Sequence, residues 1–577
     1  MRDYDVLVIG GGINGLTVGA YLQRAGLSVG IFEARGQCGA FCDTVELGLP
    51  GFLHNTHATW LVPALSPAMA DLELERFGLD LRGNDTLFAK PFRDGTNAVL
   101  ALDPNASRTS IARHSEHDAS VIDKIRAFAF EHAADTVFLN QQSTFGAHTP
   151  EFLDRVAAHA DGMVRALGLP LTGDDVLRMP GTELLEMLFE SEATRTLIAS
   201  LGEYTGQWPV HRRVAPLVLG VSGLLPMAVH TARGGSHSLT HALVKCFVSH
   251  GGEIWTTCPV EKILVEDGRA VGIRLSDDAL LPGEEIRAKT IVSNLTLVPT
   301  FLRLLGEDVI GSEWARRIRQ FNYDDPQLVA VHYALRGDPE FASAAHDPAI
   351  QRCWVGSFGG ETLDEMRDAQ NAALSGVIPA NGMIGWFNPT RADPHQAPPG
   401  CHTVLAWITV PPQPRRWGAQ RLAGWEAWRH GLGDALADEV TRRYEAYAPG
   451  FTDLILERHV NTPYDQENGN PSAIRGNMIG GSAIPEQHGA NRPLPGVIQR
   501  GVSRSFVPGL YLSNSIHPFG ATHLGSGYLA ATEIAEDLGR RDAEWWRAKP
   551  YEWWLANVAR LPMNLGVDPK WLGGVQK

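Results

Sequence analysis

The sequence predicts an α/β protein of two interleaved units, one built on a parallel nucleotide-binding sheet and one of mixed α+β character. Three observations carry that expectation. An apolar strand at the N-terminus runs straight into a glycine-rich turn. A strand-rich block opens near residue 232 after a long helical stretch. A second strand, glycine segment and helix follow near residue 509.

The first unit reads Tyr4-Asp-Val-Leu-Val-Ile-Gly-Gly-Gly-Ile-Asn-Gly-Leu16, followed by Ile31-Phe-Glu33. Its parts come in the order strand, G-x-G-x-x-G turn, helix, strand, acid. Gly10 permits the tight turn, Gly12 lets the backbone approach a pyrophosphate, and Gly15 lets the helix pack against the strand. The helix N-terminus offers free N–H groups and a positive dipole end to phosphates. Glu33 is placed to accept hydrogen bonds from a ribose 2′-hydroxyl. A dinucleotide site is expected.

From about residue 100 to 230 the pattern is helical, as in residues 119–133 and 182–201. Gly234-Gly-Ser-His-Ser-Leu-Thr-His then opens a helix that ends at Gly251-Gly252, and strand-like runs follow at 253–257, 260–265, 270–275 and 290–293. The turn Glu266-Asp-Gly-Arg269 between two of them has hairpin chemistry. Residues 300–455 mix helices with strands at 328–335 and 403–409, interrupted by the proline-rich stretch 389–400. A short strand at Gly509-Leu-Tyr-Leu-Ser leads through glycines to a helix over 528–538. The nucleotide-binding unit is therefore assigned to residues 1–75, 232–300 and 455–544. The inserted unit takes 76–231 and 301–454, and residues 545–577 form a tryptophan-rich tail.

The bulk numbers narrow the function. A chain of 577 residues exceeds the size at which one core keeps growing, and 44% hydrophobic with 20% charged residues describes an ordinary globular protein. A formal charge of −15 repels phosphate backbones, so nucleic acid is not an expected partner. Six cysteines make no disulfide framework and suit an intracellular protein. Cys38 and Cys42 lack a matching His or Cys pair, so no metal is expected. No window reaches about 18 uninterrupted apolar residues, so no membrane-spanning helix is expected, and the polar N-terminus does not resemble a signal peptide. The expected location is cytoplasmic, with peripheral membrane contact suiting a lipid-like substrate.

Five stretches, in this order, resemble the phytoene desaturase branch of the flavin amine oxidase superfamily, most of all its group of carotenoid isomerases, retinol saturase and pyridine nucleotide-disulphide oxidoreductase domain protein 2. They are the N-terminal unit with Glu33; Glu46-Leu-Gly-Leu-Pro-Gly-Phe-Leu-His54; and Gly234-Gly235 with Gly251-Gly-Glu-Ile254, Pro259-Val-Glu-Lys-Ile263 and Val292-Ser-Asn294. Then come Asp393-Pro-His-Gln-Ala-Pro-Pro-Gly-Cys-His402, and Gly509-Leu-Tyr-Leu512 with His517-Pro518, Gly520 and Gly525-Ser-Gly527. The resemblance implies a Rossmann-like, GR2-type FAD-binding domain with an inserted α+β substrate domain. FAD would lie extended between the first βα turn and the C-terminal glycine segment. Glu33 would hold the adenosine ribose, the Val260 backbone the adenine, and residues 513–527 the pyrophosphate, ribityl chain and ring. The cofactor-binding set so implied is Gly10, Gly12, Ile13, Asn14, Gly15, Glu33, Ala34, Arg35, Gly39, Ala40, Val260, Asn294, Asn514, His517, Gly520, Gly525 and Gly527. The chain departs from the pattern at Gly39-Ala-Phe41, where an arginine is usual and Arg35 is the candidate substitute, and at Asn514, where a glycine is usual.

A flavin accepts hydride itself, so the protein need supply positioning, a proton-handling group and a dry cavity. Histidine is the natural proton-handling group. The candidates are His517 and His523 in the C-terminal glycine segment and His57, with its neighbour His54, near the domain junction. His237 and His241 lie one helical turn apart and read as a helix-surface pair rather than a metal site. The amine oxidases of this superfamily usually carry a lysine after the strand matching 291–293, and the run Asn294–Gly306 has none. The expected reaction is desaturation, saturation or isomerisation of a carbon–carbon bond in a small hydrophobic substrate, with oxygen or a quinone as electron acceptor. The rivals are a flavin oxidase of an amine or alcohol carbon and a non-redox FAD-carrying interaction protein. Tryptophan density in Trp545-Trp-Arg-Ala-Lys-Pro-Tyr-Glu-Trp-Trp554 suits a homo-oligomer interface, a lipid headgroup layer, or packing on its own domain.

Overall fold

The computed structural model describes residues 3–63, 66–132, 135–136, 139, 149–204, 230–482, 484–487, 491–492, 494–495, 498–500, 503–514 and 524–546. Strand β1 (Tyr4–Ile9), helix α1 (Ile13–Arg24) and strand β2 (Val29–Phe32) form the opening βαβ unit. Every residue of β2 is buried and β1 is nearly so, as expected of a sheet covered on both faces. Across the sheet run Glu253–Trp255, β2, β1, Glu285–Ser293 and Leu510–Leu512, all parallel. In chain order these are the third, second, first, fourth and fifth strands. The order reverses between β1 and Glu285–Ser293, and ligands of such sheets bind beyond the strand C-termini at that switch point.

Alternation along β1 sends its side chains to two cores. Val6 and Val8 meet α1, the helix His237–Ser249 and the helix Gly525–Asp537 through Leu16, Leu239, Leu243, Phe247, Tyr528 and Ile534. Leu7 and Ile9 face the opposite layer, where Ile263 and Ile273 of the antiparallel strands Val260–Glu266 and Arg269–Leu275 join Phe301. The two strands meet at the expected turn over Glu266-Asp-Gly-Arg269.

A second sheet of seven strands runs Ile455–Asn461, Gln327–Leu335, His402–Val410, Ile384–Phe387, Val355–Phe358, Thr86–Pro91 and Asn97–Ala101. Its pairs are antiparallel except at Gly356 and Ala89. One face packs Val329, Val331 and Tyr333 on the helix Leu432–Tyr447. The other face, with Ala330, Leu405, Phe387 and Val355, packs on the helices Glu116–Glu131, Gly181–Leu188 and Glu192–Tyr204. The strand Ile455–Asn461, taken from sequence as the start of the third nucleotide-binding segment, hydrogen-bonds into this second sheet.

The single helix expected over 182–201 is two helices, Gly181–Leu188 and Glu192–Tyr204. The buried Asp118 carboxylate accepts the backbone N–H groups of Glu190 (2.7 Å) and Ser191 (3.0 Å), capturing the donors that a continuous helix would have used. Of the tail, Trp545 and Trp546 lie within the described residues and pack on the nucleotide-binding unit. The Tyr21 ring stands 5.8 Å from Trp545 and 4.8 Å from Trp546, and the Arg24 guanidinium lies 4.6 Å over Trp545. Among the described residues no helix is long and apolar enough to cross a membrane.

Candidate dinucleotide site and the junction between the sheets

At the switch point the glycine turn is fixed from three sides. The Gly10 N–H donates to the Phe32 carbonyl (2.8 Å), which ties the turn to β2. The Gly11 N–H donates to Glu33 Oε2 (2.7 Å) and the Arg35 N–H donates to Oε1 (2.8 Å), so the buried carboxylate is oriented by two backbone donors. Each oxygen keeps acceptor capacity for a ribose hydroxyl. The loop carrying Gly39 and Ala40 folds over the turn, with Gly39 N–H donating to Gly11 O (3.0 Å) and Gly39 at φ +124°, a conformation suited to glycine. Arg35 spans that loop, pairing with Asp43 (3.0 Å) and the Ala40 carbonyl (3.2 Å). Ala34 is exposed beside it. Val260 begins its strand two residues after Cys258, whose N–H donates to the Glu33 carbonyl (2.9 Å).

The second wall comes from the far end of the chain. Asn294 N–H donates to Ile9 O (2.9 Å), and its side-chain amide reaches the Gly10 carbonyl (3.3 Å). Ser513 Oγ donates to Asn294 Oδ1 (3.1 Å) and Asn514 Nδ2 to the Asn294 carbonyl (3.1 Å). Asn14, in the first turn of α1, accepts the Gly527 N–H at 3.0 Å. A Cβ on Gly527 would collide with the Asn14 carbonyl oxygen, and one on Gly15 with that of Gly10. The first turns of α1 and of the helix Gly525–Asp537 therefore touch through glycine, with Ile13 buried beneath them. His517, His523 and Gly520 lie outside the described residues. Of the sequence-derived set, the rest gather around this one crevice. The residues present fit an elongated dinucleotide: a glycine cradle at a helix N-terminus, an oriented acid beyond β2, and a second helix with glycines in its first turn opposite.

From the crevice the hairpin Thr44–Glu46/Leu53–Asn55 leads to the second sheet. Asn55 anchors it, its Oδ1 accepting the Ser236 N–H (2.8 Å) and its amide donating to Gln396 Oε1 (3.0 Å). His57 lies just beyond, buried, its ring centroid 4.3 Å from that of Phe41. Its Nε2 lies 3.4 Å from Asn461 Nδ2 and its Nδ1 3.0 Å from Thr56 Oγ1. His54 meets His332 of the second sheet edge to face, with ring centroids 5.6 Å apart. Burial pushes His54 down to about 4, helped by His459, and His57 down to about 3, helped by Arg35. Burial also lowers His332 well below the usual imidazole value, with His54, His57 and His459 adding to it. The junction holds its imidazoles neutral at working pH.

Sequence reading missed His332 and Asn461. The signal for His332 was its even spacing with Ala330 and Ala334 on a predicted strand, which puts it on the face opposite Val329, Val331 and Tyr333. His237 and His241 lie 4.3 Å apart by ring centroid, and His237 Nδ1 faces Asp43 Oδ1 at 3.3 Å. Among the described residues no group of His, Cys, Asp or Glu is arranged to hold a metal ion.

The depressed histidines set a pH window. Folded, they stay neutral to about pH 4 or 3; unfolded, they take up protons near pH 6.5. Below that value the unfolded chain binds more protons, so stability is full above it and declines as pH falls towards the folded values. Thermal melts across that range should show Tm falling with acid, and His54→Gln should flatten the slope. Parallel wild-type and variant curves would remove His54 from the account.

The arrangement is that of a mixed α/β fold with a Rossmann-like dinucleotide-binding domain, and similarity to proteins named dehydrogenase and desaturase places the chain among the oxidoreductases. The family model for NAD(P)-binding Rossmann-like domains matches residues 8–72. Over nearly its whole length the chain is similar to mouse pyridine nucleotide-disulfide oxidoreductase domain-containing protein 2, at 29% identity, covering 93% of this chain and 94% of the relative. A limonene dehydrogenase component of Castellaniella defragrans is 28% identical, with 95% and 96% covered. Among solved structures, an oxidoreductase from Methanosarcina mazei shares the fold at a TM-score of 0.54 and 14% identity, covering 92% of this chain and 99% of that one. The chain's homologues lie in the FAD-dependent amine oxidase and carotenoid desaturase superfamily.

Proposed function

We propose that this chain binds FAD across the crevice and desaturates, saturates or isomerises a carbon–carbon bond in an apolar substrate. The observation that carries the reading is the closure of two glycine-containing helix N-termini, Asn14 against Gly527, with Asn294 bridging Gly10 to Ser513 and Asn514. A cofactor with two phosphates in its middle and groups to seat at both ends matches such a double-walled cleft. In this reading the Gly10–Gly15 turn receives the pyrophosphate, Glu33 the adenosine ribose and the Val260 backbone the adenine. Asn294, Asn514 and Gly525–Gly527 border the part nearer the ring. Bound there, FAD supplies two-electron chemistry, taking hydride from substrate carbon or returning it.

The rest falls to the chain's own residues. Trp407, Leu405 and Phe387 share the sheet face that bears His332 and surround it with apolar side chains that make little hydrogen-bonding demand. Neutral His54 and His57 add polarity to that junction without adding charge, which suits an apolar substrate better than a cationic one. The N-terminus of the helix Gly525–Asp537 places a positive field where negative charge builds on reduction. Oxygen or a quinone takes the electrons onward. The similarity to a protein named for limonene dehydrogenation supports a hydrocarbon or isoprenoid substrate.

The test is an anaerobic absorbance spectrum of the purified protein, followed near about 450 nm, the flavin band. Limonene, a carotene and a panel of primary amines would be mixed in turn. Bleaching by limonene or the carotene supports the reading. Bleaching by amines alone, with hydrogen peroxide on admitting air, replaces it with an amine oxidase. A colourless protein that refuses added FAD ends it.

A further inference from the structure

His332 is a polar side chain without a partner in the middle of a packed strand. It is 1% exposed, and neither ring nitrogen has a hydrogen bond among the described residues. Buried polar atoms are almost always paired, and an imidazole kept in apolar packing with both nitrogens idle calls for a reason. Leucine would fill the same place without that penalty.

Its neighbours supply the reason. In the antiparallel register His332 stands directly opposite His459, so both rings project from one face, with centroids 6.4 Å apart. His54 is 5.6 Å from His332 by ring centroid, carried by the hairpin that leads from the nucleotide crevice. His54 is 6% exposed and its ring makes no hydrogen bond among the described residues; His459, on the edge strand, is exposed. His332 thus has ring contacts to both His54, on the hairpin from the crevice, and His459, on the exposed edge strand of the second sheet. At these separations ring rotation brings facing nitrogens within roughly 3–4 Å, hydrogen-bond reach directly or through one water. Neutral imidazole takes a proton on one nitrogen and releases one from the other.

We propose that His54, His332 and His459 form a proton relay between the reacting centre and solvent, with His332 as its middle carrier. The inference rests on the dehydrogenase reading above. Removing two hydrogens from a saturated carbon pair breaks two C–H bonds and forms one C=C. One hydrogen leaves with its electron pair to the oxidised flavin, and the other leaves as a proton. That proton passes to His54, then His332, then His459 and water, and each imidazole returns to neutral. The groups facing His332 are His54 and His57 from the hairpin side and His459 from the edge strand. Asn461 and Glu457 flank His459 on its own strand face, and Leu405 is the register partner on the third side. Neither register partner of His332 is a carboxylate that would trap a proton midway.

The deciding measurement is exchange of the His332 ring N–H with solvent, read by NMR on full-length flavin-loaded protein carrying ring-15N histidine. The signal is assigned by its loss in His332→Leu. A working relay gives exchange within seconds in D2O, slowed at least about tenfold in His459→Leu, where the outlet is removed. A His332 N–H that persists for hours in wild type overturns the proposal, whatever the variants do. A second readout uses the probe that bleaches the wild type. His332→Leu should keep its yellow colour, bleach about 100-fold more slowly and recover on adding free imidazole, since general acid–base groups contribute on that scale. A wild-type rate in His332→Leu overturns the relay while leaving the FAD reading intact. A wild type that stays colourless after added FAD fails the FAD reading instead, and exchange is then read on that flavin-free protein, where slow exchange overturns the relay as well.

Discussion

Valine at position 15 is expected to abolish dinucleotide binding and to lower the stability of the chain. Any Cβ there collides with the Gly10 carbonyl oxygen and comes within 3.0 Å of the Asn294 amide. Neither neighbour has room to give. Gly10 is held to Phe32 through its N–H, and Asn294 is held to Ile9, Ser513 and Asn514. The helix must therefore back away from the strand, carrying its free N–H groups away from the phosphates. Overpacking of this kind costs about 1–3 kcal/mol in folding. Loss of the preorganised cradle should weaken FAD by about 100-fold or more, or roughly 2.7 kcal/mol. Flavin retained after dialysis and the melting temperature measure the two effects. Gly36→Ala is the control, because a Cβ at Gly36 meets nothing within 4 Å. If Gly15→Val keeps its flavin, the crevice is not the binding site.

Removing the acid beyond β2 should come second in size. Glu33→Ala strands the N–H groups of Gly11 and Arg35, both now held by the carboxylate at 2.7 and 2.8 Å, in a buried place. Hydrogen bonds to a charged group contribute about 1.5–3 kcal/mol. Both the shape of the glycine turn and the ribose contact go with it, so FAD affinity should fall by about 100-fold, measured by titrating apoprotein. Glu33→Gln is expected to bind poorly as well, because one of its two oxygens becomes an NH2 facing a backbone N–H donor. An unchanged affinity in Glu33→Ala would place the adenosine end elsewhere.

What could be read from the sequence was what local spacing encodes. The strand, the glycine turn, α1 and Glu33 lie within thirty-odd residues, each conformational demand leaving its mark on a nearby residue type. The helix at Gly525 and the hairpin at Asp267-Gly268 were legible for the same reason. Long-range pairing was not. Nothing near Asn294 announces that its side chain will join Gly10 to Ser513, and nothing near His332 announces His459 across the strand pair. The break at Phe189 was hidden because its cause, Asp118, comes from another helix about 70 positions earlier. The strand Ile455–Asn461 read as belonging to the nucleotide-binding unit because it leads into it; strand register, which is global, gave it to the other sheet.

The contact between Asn14 and Gly527 joins positions 513 apart. While the polypeptide is still emerging from the ribosome, the N-terminal βαβ unit has its glycine turn but no opposing wall. Closure of the crevice therefore waits until synthesis has passed the helix Gly525–Asp537, and loop closure over such a span makes that docking a late event. A chain ended between Asn461 and Ser513 would keep every strand of the second sheet and still lack the wall that faces the glycine turn.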